Sequence, residues 1–267
     1  MAEVLTAGIF RREKLSALLC LLAVTALAWA WLWFDASRMS AMPMGARLAS
    51  GDGVAMASAL QVWTMGWLLP TFLMWSIMMV GMMLPGAAPA VLLYGSMVSR
   101  NKGRGVALPS VWVFTAGYLA VWTGFSLAAA LLQAGLHTAA LLTPTMVSKS
   151  TLLTGGLLIV AGIYQWLPVK EVCLRKCRAP LQFFLFRWRP GMSGAFRMGA
   201  EHGAFCVGCC WALMLLLFTA GVMNLLWVAV IAGFVMLEKL LPSGRLFGRL
   251  AGILMAVFGF GMLVANT

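Results

Sequence analysis

Apolar residues in this chain come in runs too long for a soluble core. LSALLCLLAVTALAWAWLWF covers 15–34 without a charge, and about 20 apolar residues in a helix cross the hydrocarbon core of a bilayer. Further runs cover about 67–84, extending toward Pro85 and Pro89, then 106–134, 150–168 and 246–264. The run from 203 to 237 is 35 residues long, which as one helix would measure roughly 52 Å against a hydrocarbon thickness of about 30 Å. Two helices joined tightly around 221–224 fit the membrane better. The pattern predicts an all-α, polytopic transmembrane helix bundle of about seven spans, forming a single integral membrane domain over 1–267.

The polar positions between these runs are basic and unevenly distributed. With the N-terminus cytoplasmic and the C-terminus external, sixteen of the nineteen lysines and arginines fall on the cytoplasmic side. Only Arg38, Arg47 and Lys149 fall outside. The positive-inside rule asks for this bias. If 203–237 were one span, Lys239, Arg245 and Arg249 would change sides. The densest basic stretch, 169–201, becomes a cytoplasmic hairpin between spans four and five. The basic residues before the first span also suit a signal peptide, but no small-residue cleavage site closes the run, and Trp29, Trp31, Trp33 and Phe34 read as an interfacial belt. The first run is therefore a retained anchor.

Composition narrows the classes. The chain is 63% hydrophobic and 10% charged, with mean hydropathy +0.95, whereas soluble domains carry about a quarter charged residues. The net charge of +12 follows from topology and also attracts anionic lipid. The basic residues are spread over several membrane-edge segments without a recognition motif, so no nucleic-acid partner is expected. The seven acidic residues form no paired carboxylate site within the apolar runs, and no Ser–His–Asp arrangement is present. Hydrolysis and proton pumping are weak readings, and the chain is not expected to be an enzyme.

Chemistry concentrates in sulfur. HGAFCVGCCW, at 202–211, places His202, Cys206, Cys209 and Cys210 at the start of an apolar run. On a helix, His202, Cys206 and one of the next two thiols share a stripe. YQWLPVKEVCLRKCRAP, at 164–180, adds Cys173 and Cys177 four residues apart, among lysines and arginines that favour thiolates. Pro168 breaks the exit from the preceding span and Pro180 ends the short element. Both clusters lie on the cytoplasmic side, where a disulfide framework is not expected. Cys173, Cys177, Cys206 and Cys210 could form a four-thiolate shell, with Cys209 or His202 replacing one of them, and Gln165 is a supporting donor. Four thiols suit zinc or an iron–sulfur centre, and two or three suit Cu(I). The spacing is neither a zinc-finger nor a ferredoxin pattern. Packing of small residues between helices is the plainer alternative. Cys20, alone in the first run, reads as a small hydrophobe.

Methionine extends the pattern. Twenty of 267 residues are Met. Met39, Met42 and Met44 lie in the first external loop, and Met74, Met78 and Met82 form a stripe beside Met79 and Met83. Thioethers are soft neutral ligands that select Cu(I), so these residues outline a metal path, against the alternative that they fill core space.

Taken together, WSIMMVGMMLPGAAP at 75–89, YQWLPVKEVCLRKCRAP, HGAFCVGCCWALM and GVMNLLWVAV…EKLLP across 221–242 resemble a bacterial family of predicted metal-binding integral membrane proteins of uncharacterised function. The resemblance implies a membrane protein with a metal site at Cys173, Cys177, Cys206, Cys209, Cys210 and His202. The leading expectation is transport or delivery of a soft metal ion, copper first, in a bacterial inner membrane. The ion would pass to a cytoplasmic metal acceptor or a membrane protein partner. The alternatives are a thiol- or metal-dependent membrane oxidoreductase, and a non-catalytic scaffold or metalloenzyme assembly factor with a structural metal.

Overall fold

The computed structural model describes residues 2–41, 63–100, 111–142, 148 and 150–265. Met42 and Met44 lie outside the described residues, and so does the side chain of Met39. Within the described residues, the regular elements are helices: α1 (Ala2–Ala41), α2 (Met65–Arg100), α3 (Val111–Thr138), α4 (Thr151–Tyr164), α5 (Pro168–Arg178), α6 (Pro180–Arg187), α7 (Gly191–Leu215), α8 (Leu217–Ala220), α9 (Leu225–Leu240) and α10 (Gly244–Val264). Five stretches are long and apolar enough to cross a membrane: Leu15–Arg38, Met65–Val98, Val111–Thr138, Gly191–Ala220 and Gly244–Val264. A sixth arises if α4 and α5, bent by 66°, count as one span. The protein is thus a multi-pass helical bundle of membrane type with five to six candidate spans.

The long apolar run does divide where its length demands. α8 ends at Gly221, whose φ of +96° is backbone that side chains rarely adopt. Asn224 then caps α9 by accepting from Trp227 N at 3.2 Å. Pro168 occupies the first turn of α5 at the 66° bend, and Pro180 opens α6 immediately after α5 ends. Both positions suit a residue that lacks an N–H.

The apolar run of 67–84 continues as helix past Pro85 and Pro89. α2 runs through Pro70, Pro85 and Pro89 without interruption. A proline at 85 has no N–H for the carbonyl of Gly81, and Trp29 Nε1 of α1 donates to that carbonyl at 3.2 Å instead. Tyr118 Oη donates to Met83 O, two residues before the same proline, at 3.1 Å. Neighbouring helices commonly re-satisfy backbone groups freed in this way in membrane proteins.

Two glycine seams set the close helix pairs, as small residues do in membranes. At the α3–α7 crossing, a Cβ on Gly117 would overlap Phe196 O, and one on Gly199 would overlap Phe114 O. At the α4–α10 pair, a Cβ on Gly252 would stand 2.7 Å from Gln165 Cβ, and one on Gly259 would stand 2.7 Å from Gly155 O. The core lies between α2, α3 and α7, where Trp75, Tyr94, Phe114, Tyr118 and Trp122 are fully enclosed. α1, α4 and α10 expose large apolar faces such as Leu27, Leu152, Leu254 and Phe260, as lipid-facing helices do.

Candidate metal centre

The thiols meet where α5 and α9 close over the middle of α7. α7 is a regular helix there, so Cys206 and Cys210 fall one turn apart, with Cys209 beside them. All three are buried. Cys209 Sγ and Cys210 Sγ donate to Cys206 O at 3.1 and 2.9 Å. Cys177, reaching in from α5, lies beside the sulfurs of Cys206 and Cys209. The four thiols of Cys177, Cys206, Cys209 and Cys210 therefore form one contact network.

Cys173 sits at its edge. Its Sγ lies 2.8 Å from the position a Cβ would take on Gly208, so the α5 thiol approaches the α7 backbone only because residue 208 is glycine. Cys209 thus lies in the contact network, and Cys173 beside it. The basic residues of α5 do not set the Cys173 thiol as expected. α5 carries five charges in eleven residues and lies outside the apolar spans. Burial, followed by the charge of Cys209, raises the Cys173 pKa above that of a free thiol, and Lys176 only partly offsets this.

His202 packs against aromatic rings. Its ring lies among Phe114, Tyr118 and Phe183, with centroid separations of 6.2, 6.0 and 5.8 Å. It is buried, and Nδ1 has no hydrogen-bond partner. Gln165 faces elsewhere: its Oε1 accepts from Lys170, not from a thiol. Cys20 is exposed on α1 and free of the bundle interior.

Two groups that sequence reasoning set aside belong to the cluster. Lys239 is buried, and its Nζ donates to Cys206 Sγ at 2.9 Å. Tyr118 Oη lies 3.1 Å from the same sulfur. The one sequence signal for Lys239 is its place at the end of an apolar helix. Five methionines of α2 are buried, Met74, Met78, Met79, Met82 and Met83, whereas Met65 is exposed. Met83, on the stripe beside the expected one, reaches the thiols, with Sδ 3.9 Å from Cys210 Sγ.

The sulfur donors, thiols and a thioether, are soft. This chemistry suits Cu(I) better than a hard ion. As folded here, the thiols satisfy one another and the α7 backbone. Among the described residues, no group of three or more His, Cys, Asp or Glu is arranged to hold a metal ion. Binding would require Cys209 or Cys210 to release Cys206 O, a side-chain rotation and not a backbone change.

Residues 72–262 match a family described as PpoB2, copper chaperone. The chain belongs to that family. The match begins with the methionines of α2 and takes in both thiol clusters and Lys239. No curated protein and no solved structure matches the chain. Metal handling in a multi-pass membrane protein is the function that this family membership and this architecture support together.

Proposed function

We propose that this copper-chaperone family member binds Cu(I) at the thiol network of α5 and α7 and carries or delivers it across the bilayer to an acceptor protein. The observation that carries the reading is the junction of Met83, Cys210, Cys206 and Lys239, with separations of 3.9 Å for Met83–Cys210 and 2.9 Å for Lys239–Cys206. A neutral thioether abuts a thiol, and an ammonium stands ready to balance the negative charge a ligating sulfur acquires. A buried charge without such a partner would be costly. The methionine stripe Met74, Met78 and Met82 leads to this junction within α2, and Met39, Met42 and Met44 would capture the ion first. Each thiol that ligates gives up its proton. Cys177 and Cys209 complete the receiving set, with Cys173 and His202 as outer positions.

In this reading the chain has seven spans in a bacterial inner membrane, with α9 as the sixth. The N-terminus is cytoplasmic and the C-terminus external. Residues 169–201 form a cytoplasmic hairpin that offers the ion to its acceptor. Support comes from the basic residues carried by α5, α6 and the start of α10 and from the positive-inside rule.

The test is anaerobic Cu(I) titration of the full-length protein against a chromophoric chelator. Wild type should bind stoichiometrically, and Cys206→Ser with Cys210→Ser should compete far less well. Unchanged binding in the double variant sinks the site. Uptake of Cu(I) into proteoliposomes then separates transport from delivery at one face.

A further inference from the structure

A second site lies at the end of α9, on the side that carries Glu238. The α4–α5 bend, the end of α9 and the first turns of α10 line a small open cleft of about 40 Å³. Its walls carry five cations, Lys170, Arg175, Arg178, Arg245 and Arg249, against two carboxylates, Glu171 and Glu238, an excess of three positive charges. Both carboxylates are already engaged. Glu238 pairs with Lys170 at 2.6 Å, and Glu171 pairs with Arg245 at 2.5 Å and Arg249 at 3.6 Å. Arg178 donates to Leu241 O and Pro242 O. Among the described residues, no carboxylate pairs with Arg175.

The second observation is an orphaned donor. Gln165 lines the cleft and is 7% exposed, and its Nε2 has no hydrogen-bond partner. A buried amide donor left unpaired is costly, so an acceptor in the cleft would relieve it. Several guanidinium groups around one neutral amide donor suit an oxyanion with several acceptor atoms. The cleft also opens where the bundle passes from apolar to charged sequence, the level at which headgroups stand. Basic pockets between spanning helices recognise such headgroups.

We propose that this cleft binds a phosphate group, presented by an anionic lipid headgroup or as free phosphate. The ligand would tie α5 to the start of α10. α5 presents Lys170, Arg175 and Arg178 to the cleft, while its Cys177 meets Cys206 and Cys209. An occupied cleft therefore holds α5, and with it Cys177, against α7. The proposal does not depend on which metal, if any, the thiols take.

The experiment uses the full-length protein in phosphatidylcholine nanodiscs with and without phosphatidylglycerol, with bound lipid read by native mass spectrometry after ejection. Inorganic phosphate is titrated in a separate arm and read by thermal stability. Wild type should retain phosphatidylglycerol over phosphatidylcholine. Arg175→Gln with Arg249→Gln should weaken retention roughly 30-fold, the loss expected for two charges at a membrane surface. Gln165→Glu can still pair with Lys170 but puts a repelling carboxylate in the cleft, so it should weaken retention while the protein stays folded. Arg197→Gln, outside the cleft, should change nothing. Stabilisation by inorganic phosphate that the double variant loses identifies the free anion as a ligand. Lipid retention without that stabilisation assigns the site to the headgroup. Equal retention by wild type and both cleft variants, or an equal loss in Arg197→Gln, overturns the proposal.

Discussion

Glu238 and Lys239 are neighbours in sequence but serve unlike regions. Consecutive helical residues point about 100° apart, so the last turn of α9 sends one charge into the basic cleft and the other into the sulfur cluster. In the cleft, Glu238 meets Lys170 and the result is a salt bridge with both side chains 3% exposed. In the cluster, Lys239 meets a sulfur, and among the described residues no carboxylate forms a salt bridge with it. The first lysine has a permanent counter-charge. The second has a partner whose charge depends on the state of a thiol. That difference separates a structural pair from a group suited to a changing ligand, and substitutions at the two positions should separate accordingly.

The largest effect is expected in the cleft. Glu238→Ala leaves Lys170 buried without its carboxylate, and removing one partner of a buried pair costs about 3–5 kcal/mol. Thermal or denaturant unfolding in detergent measures it. A variant as stable as wild type would mean that water reaches Lys170, which would erase the contrast between the two lysines. Copper affinity should change much less than stability does.

At the neighbouring position the balance reverses. Lys239→Met keeps the length and apolar stem of the side chain but removes the ammonium from Cys206. Cu(I) affinity should fall roughly 10–100-fold, the range for losing a group that supports a metal ligand, with a smaller loss of stability than Glu238→Ala produces. Competition with a chelator reads the affinity. An unchanged affinity would make Lys239 a packing residue and leave the thiols to act without it.

Gly208 sharpens the boundary between the thiols that meet and the one beside them. Gly208→Ala puts a Cβ where Cys173 Sγ comes within 2.8 Å. Overpacking of this kind costs about 1–3 kcal/mol. Cys173 should be displaced toward solvent and alkylate faster, while Cys206 and Cys210 stay protected. Protection of all thiols as in wild type would show that α5 moves as a unit and that Cys173 belongs fully to the network.

How much of this was legible in the sequence depends on the range of the interaction. The division of 203–237 followed from length alone, and Gly221 and Asn224 marked the break. The thiol spacing on α7 followed from helical geometry, because Cys206 and Cys210 are one turn apart. The uninterrupted α2 was not legible, since the donor that meets Gly81 O is Trp29, 52 residues away. Lys239 was hidden for the same reason: helix ends are common places for lysine, and only the packing of α9 over α7 turns this one inward. Met83 was distinguishable from Met82 only once the rotation of α2 against α7 was fixed. Local spacing located the chemistry, and tertiary packing chose which members of each stripe take part.

The smallest effect is expected from the methionines remote from the thiols. Met78 and Met82 are as buried as Met83, at 1%, 2% and 1% exposure, so burial does not distinguish a path from filler. Met78→Leu with Met82→Leu conserves volume and should cost less than about 1.5 kcal/mol at each position. If α2 only fills space, copper affinity and uptake both stay at wild-type levels. If the stripe conducts the ion, affinity at the thiols is unchanged but uptake into proteoliposomes slows, because the site is intact and its approach is not. Met83→Leu removes the thioether beside Cys210 and should lower affinity in either case. Measuring both quantities on both variants therefore separates a ligand from a conduit and a conduit from packing.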